Sequence, residues 1–362
     1  MTTANAAMVR QYGDDIRLFR TRALKLSYAA LIAAVLLVPF RMSDYQASVA
    51  VYAGVAAIGA IGLNLLTGFT GQVSLGHAAF LGAGAYTGAY VGGEWDLPFV
   101  VWLPAAAIVG ALIGLVVGPF ALRLRGNYLA IVTLGLVFVA QYVFESWESV
   151  TGGANGTSVT APVKVGPVDF EKLSIPGKDF TRDQGYFYLV WIIALLVALL
   201  AKNLVRSRAG RAMQAVRDRD RAAEAIGVHL ARYKVLAFVL SSSLAAVAGA
   251  LYASYQRFVN PGEFTLVVSI TYIAMIVVGG AGMIFGSVLG AIFITAIPRL
   301  IEELSAHKSV ADFLDSVGMS VASLNQAVFG ILIVAFLVFE PRGLAAIWLR
   351  IRMYFKTWPF SY

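Results

Sequence analysis

Apolar residues run in windows of about 20 positions from Leu24 almost to the end of the chain, separated by short polar and basic stretches. That is the length a helix needs to cross the hydrocarbon core, so the pattern predicts roughly ten spans. They fall near residues 24–40, 47–66, 71–92, 98–121, 127–145, 186–204, 233–255, 264–280, 283–303 and 322–340. The eighth and ninth could equally form one broken hairpin. The first window lacks a small-residue cleavage site and reads as a retained helix rather than a signal peptide. One stretch, Gly62 to Tyr86, is apolar enough for a membrane yet carries glycines, hydroxyls, an amide and a histidine. Lipid forbids irregular backbone unless protein or a cavity surrounds it. This stretch therefore belongs inside a helix bundle, beside something that moves or is moved.

Composition agrees. Of 362 residues, 59% are hydrophobic and 13% charged, and the mean hydropathy is +0.76. The expected fold class is an all-α integral membrane protein, a polytopic bundle. With no cysteine, disulfides, thiolate metal sites and a cysteine nucleophile are excluded, and three scattered histidines argue against a metal centre. The net charge of +8 reads as basic cytoplasmic loops rather than a nucleic-acid surface. Arg10, Arg17, Arg20 and Arg22 precede the first span and Lys25 stands at its start, Arg123 and Arg125 follow the fourth, and nine cations run from Lys202 to Lys234 after the sixth. With Arg342, Arg350, Arg352 and Lys356 in the tail, all these fall on one side, placing both termini in the cytoplasm.

The expected organisation is a cytoplasmic arm at 1–23, a transmembrane domain at 24–340 and an interfacial tail at 341–362. An external loop at 145–185 and a cytoplasmic loop at 203–232 interrupt the domain. The external loop holds Thr151-Gly-Gly-Ala-Asn-Gly-Thr157, a glycine-built turn, and has room for a short hairpin. Gly152, Gly153, Asn155 and Gly156 are candidates for docking an external partner. In the tail, Leu344, Ile347, Trp348, Ile351 and Phe355 at helical spacing predict a helix on the inner membrane surface. Three glycine triplets at spacing four (Gly84, Gly88, Gly92; Gly110, Gly114, Gly118; Gly282, Gly286, Gly290) predict close helix packing, within the monomer rather than between copies.

A phosphate-binding loop is missing: the Gly177-Lys178 pair is followed by Asp179 and lies in the external loop. No Ser-His-Asp or paired-carboxylate arrangement suggests an enzyme. Polar residues inside spans are the transport candidates, because such groups in hydrocarbon usually face a cavity or a partner. They are Asn64, Thr67, Gln72, Ser74 and His77 in the opening segment, and Asn127, Tyr128 and Thr133, with Gln141 and Glu145, in the fifth span. His77 divides evenly between a buried histidine bonded to a neighbouring helix and a pathway-lining group. Neutral, small-residue walls suit a conduit of low affinity.

The cytoplasmic loop is the second strong signal. Ala212, Ala215, Val216, Ala222, Ala223 and Ile226 supply a modest apolar face among alternating Arg and Asp, and Gly227 can end a helix at Ile226. A solvated basic loop explains the arginines but neither the apolar face nor the glycine. Glu224-Ala225-Ile226-Gly227, after Ala222 and Ala223, resembles the coupling loop of bacterial ABC importer permeases. The whole chain resembles the branched-chain amino acid permeases of the leucine/isoleucine/valine type, the M-type membrane subunit. The likeness is carried by Gly62–Tyr86, Thr151–Gly156, Arg211–Tyr252 with Arg232-Tyr-Lys-Val-Leu-Ala-Phe238, Val278–Gly290 and Pro341-Arg-Gly-Leu344. The coupling loop lacks the Leu-Pro ending of the wider superfamily.

The resemblance implies a homologous second permease, two ATP-binding subunits that hold ATP and Mg, an external substrate-binding protein and an amino acid cargo, in the bacterial inner membrane. It also implies that Ala222, Ala223, Glu224, Ala225 and Gly227 couple to the ATPase, and that this chain holds no cofactor itself. A rival reading is a secondary transporter, with a helix broken at Gly68–Gly76 and His77 or Glu145 carrying a coupling proton. Charge bias sets that break near the cytoplasmic face, which suits an inner gate or packing hinge better than a midplane binding site.

Overall fold

The computed structural model describes residues 37–123, 127–175, 178–305, 320–340 and 343–357. The N-terminal arm and all but the last residues of the first predicted span lie outside them. Ser43 starts the first long helix, α1 (Asp44–Thr70), with a capping box: its side chain accepts from Gln46 N while the Gln46 side chain accepts from Ser43 N. Then follow α2 (His77–Gly88), which runs on into a π turn at Ala89–Glu94, α3 (Phe99–Arg123) and α4 (Asn127–Ser146). A second capping box, Thr181 with Gln184, opens α5 (Arg182–Arg206). The remaining helices are α6 (Arg208–Asp218), α7 (Asp220–Ala225), α8 (Leu230–Gln256), α9 (Leu266–Gly279), α10 (Ile284–Ser305), α11 (Val321–Phe339) and α12 (Leu344–Thr357). Among the described residues, seven helices are long and apolar enough to cross a membrane.

The third predicted span differs from its window. Its helix begins only at His77, after an irregular stretch from Gly71 to Gly76. The eighth and ninth windows form two helices, α9 and α10, joined by a turn at residues 280–283.

The core sits around α1 and α8. In its most apolar window α1 is 83% buried, whereas α3 and α4 are 22% buried and turn most of their surface outward. Glycine makes the close approaches around α8 possible. A Cβ on Gly84 of α2 would lie 2.0 Å from Ala246 O, and one on Gly249 would lie 1.9 Å from Leu81 O. Gly110 and Gly114 of α3 likewise abut Ser242. The first two triplets thus pack within the monomer, where close backbone contact replaces the hydrophobic drive that lipid does not provide. The third triplet is not one helix face: Gly282 lies in the turn before α10 with φ +80°, while Gly286 and Gly290 pack on Gly279 and Met275 of α9.

The molecule has two distinct ends. At one, the start of α1, the start of α5 and the end of α8 are tied together. Thr181 Oγ1 donates to Asp44 Oδ1 (2.7 Å), and Arg182 Nη2 donates to Tyr255 O (2.6 Å). The 145–185 loop caps this end through small antiparallel pairs: β1 (Thr157–Ser158) on β6 (Phe258–Val259), β2 (Lys164–Val165) on β3 (Val168–Asp169), and β4 (Ser174–Ile175) on β5 (Lys178–Asp179). At the other end the basic α6–α7 segment lies against the C-terminus of α1, and Gly343, before α12, abuts Gly280.

Candidate functional site

The α6–α7 segment is two helices rather than one. Ser207 caps α6 by accepting from Gly210 N (3.4 Å), and Met213 and Val216 are buried against the bundle. Arg219 then takes an extended conformation (φ −156°, ψ 101°), which turns α7 away. Gly227 N donates to Glu224 O and Val228 N to Ala223 O, both at 3.0 Å, and Gly227 has φ +87°. That is a Schellman cap, which a residue with a Cβ adopts only with strain. The cap sets the tip: Ala223 is buried, while Ala222, Glu224 and Ala225 are exposed. Ile226 is 78% exposed.

Arg217, absent from the sequence-derived candidates, connects this tip to the bundle. Its Nη1 donates to Gly68 O in the last turn of α1, and its guanidinium packs against Gly282. Beside it, Asn64 clips α1 to the α9–α10 turn. Asn64 Nδ2 donates to Met283 O (3.0 Å) and Ser287 Oγ (2.6 Å), while Asn64 Oδ1 accepts from Gly282 N (2.8 Å). The end of α1, the turn at 280–283 and α6 are therefore one linked unit.

The break after α1 is also cross-linked. Thr67 Oγ1 donates to Gln72 O (3.0 Å), and Gln72 Nε2 donates to Lys234 O at the start of α8 (3.4 Å). Gly76 N donates to Ser74 Oγ (3.3 Å), and Leu75 N donates to Thr133 Oγ1 (2.9 Å). His77 is buried with its ring 4.7 Å from that of Tyr272. Its Nε2 has no hydrogen-bond partner among the described residues. Asn64, Thr67, Gln72, Ser74, His77 and Thr133 thus share one region. Tyr128 does not join them, being 68% exposed on α4, and Asn127 opens that helix.

At the opposite end, Thr151 Oγ1 donates to Phe144 O (2.6 Å) and Trp147 O (2.7 Å), folding the chain over the end of α4. Gly152, Gly153 and Gly156 have φ of +73°, +65° and +76°, and Asn155 is exposed on the turn they build. Nearby, Glu171 pairs with Arg182 (3.6 Å) and Arg257 (3.0 Å). The latter bond raises the Arg257 pKa above its ordinary value, so it stays charged. No cluster of potential metal ligands occurs among the described residues.

Residues 45–337 match the family described as branched-chain amino acid transport system / permease component. The chain is 30% identical over 333 residues to the high-affinity branched-chain amino acid transport system permease protein LivM of Salmonella typhimurium, covering 88% of this chain and 74% of that protein. The LivM protein of Escherichia coli strain K12 matches to the same extent. The autoinducer 2 import system permease protein LsrC of Escherichia coli O157:H7 is 28% identical over 263 residues, covering 69% of this chain and 67% of that protein. No solved structure matches. A multi-pass helical bundle with a capped basic segment at one end, matched over most of its length by such permeases, belongs to the branched-chain amino acid transport system permease family.

Proposed function

We propose that this chain forms, with a homologous second permease, the translocation pathway of an ATP-driven importer of branched-chain or related amino acids in the bacterial inner membrane. Two ATP-binding subunits supply the motor, holding ATP and Mg. A binding protein at the 145–185 end delivers the cargo, with Gly152, Gly153, Asn155 and Gly156 in the docking surface. The α6–α7 end and both termini are cytoplasmic, as the clustered cations favour. The observation that carries the reading is the capped α7 tip joined to α1 through Arg217. A push on Glu224 and Ile226 passes through Arg219 to α6, and from Arg217 to Gly68 and the 280–283 turn.

Closure of the ATP-binding subunits would move α7, and Arg217 would convey that motion to the break at 71–76, where helices can rearrange without losing many internal bonds. Glu224→Ala and Gly227→Val in the assembled importer are expected to lower substrate-stimulated ATP hydrolysis and uptake about tenfold, the effect of losing one charged or well-packed contact. The complex should still purify intact. Wild-type coupling in both variants would remove the assignment of this segment.

A further inference from the structure

A cavity of about 190 Å³ opens between α1, α2, α8, α9 and α10, far from the linked unit around Arg217. Its wall includes Tyr52, Tyr252, Phe264, Val268 and Tyr272, with Glu263 as its carboxylate. Gly68 lies sixteen residues beyond Tyr52 on α1, about 24 Å at ~1.5 Å per residue. The cavity therefore extends from Tyr52 toward the 145–185 end, and its Tyr272 wall backs onto His77 of the break.

One buried polar atom of its wall lacks a partner. Asn260 Nδ2 donates to Glu263 Oε1 (2.9 Å), but Glu263 Oε2 is buried with no hydrogen-bond partner among the described residues. Tyr86 Oη and His77 Nε2, outside the lining, are also buried without partners among the described residues. The Tyr86 ring lies 6.2 Å from Phe264, and the His77 ring packs on Tyr272. Buried polar groups are normally paired, and an orphan carboxylate oxygen in a cavity wall marks a place for a ligand that carries a donor. Apart from Thr295, the rest of the wall is apolar or aromatic. A molecule with an ammonium group and an apolar side chain meets both demands, whereas a water would satisfy the carboxylate and leave the apolar wall unused.

We infer that this cavity is an intramembrane station for an α-amino acid with an apolar side chain, whose ammonium group the Glu263 carboxylate receives. The inference rests on the proposed import function and adds a site to it. Val268 and Tyr272 bound the side-chain space. The station stands upstream of the break at 71–76, so cargo is held here before the cytoplasmic end opens.

The test uses the assembled importer in nanodiscs with a diazirine analogue of leucine, photolysed and mapped by peptide mass spectrometry. Expected are adducts in peptides holding residues 52–56 and 263–272, competed by leucine but not by 4-methylpentanoate, which lacks the ammonium group. Glu263→Gln is expected to reduce competed labelling about tenfold, the loss of one charge-assisted bond, and Val268→Phe to block it by filling the cavity. The wild-type competition profile stands even if a variant fails to fold. Competed adducts centred on Gln72–His77, equal competition by 4-methylpentanoate, or no competed adducts would each overturn the station. ATP-dependent leucine uptake by the same preparation separates the two readings. Intact uptake without cavity labelling removes the station alone, and absent uptake removes the import function and the station with it.

Discussion

At the scale of single residues, Asn64 shows how a polar group inside an apolar helix can serve packing. Its side chain contacts Gly282, Met283 and Ser287, and it is almost wholly buried. Asn64→Leu would strand the Gly282 amide and weaken the hold on Ser287, at about 1–3 kcal/mol for each buried group left unpaired. A clear fall in the melting temperature of the detergent-purified complex is expected, measured by size-exclusion fluorescence after heating. Tyr128→Phe on the exposed face of α4 should leave it unchanged. Sequence alone marked Asn64 as unusual for its setting but left its role open, because its partners lie more than 200 positions away. Gly227 was more legible, since a helix followed by glycine has a local explanation and the Schellman bonds supply it. Arg217 gave no such signal: in a run of arginines, only the fold singles out the one that reaches Gly68.

At the scale of elements, α8 is the helix against which α2 and α3 are fitted, and the fit depends on glycine at the contact. Gly84→Val would drive a side chain into the backbone at Ala246, so loss of folded protein from the membrane is expected, read by expression and gel filtration. Gly135 of α4 is the control, because a Cβ there meets nothing within 4 Å. Gly135→Ala should be neutral or stabilising by up to about 1 kcal/mol, the helix-propensity difference. The spacing of the glycines was legible as close packing; the identity of the partner helix was not, since periodicity carries no information about the other side of a contact. The division of the basic segment into α6 and α7 was also hidden. Arg219 breaks it without glycine or proline, through its extended backbone. Arg217→Met is expected to leave both helices formed but to separate hydrolysis from transport, with ATP turnover retained and uptake reduced severalfold in proteoliposomes.

At the scale of the whole molecule, the apolar windows located nearly every long helix within the described residues, because a span in lipid must satisfy its own backbone and therefore announces itself by length. Charge grouped the basic segments at one end, and the structure joins α6 to the end of α1 there. The third window began its helix too early, because Gly71–Gly76 is about as apolar as the helix it precedes, but the glycines had marked a break at Gly68–Gly76, and the irregular stretch lies there. The strand pair that ties the 145–185 loop to Phe258–Val259 was missed for a different reason: each strand is two residues long, below the reach of any periodicity. The most direct measurement of the central claim is leucine uptake into proteoliposomes that hold this chain, its homologous permease, the ATP-binding subunits and the external binding protein. Uptake should require ATP and vanish when the ATP-binding subunits are omitted, whatever ion gradient is imposed. Uptake driven by a proton or sodium gradient in vesicles lacking those subunits would contradict the importer and establish a secondary transporter in its place.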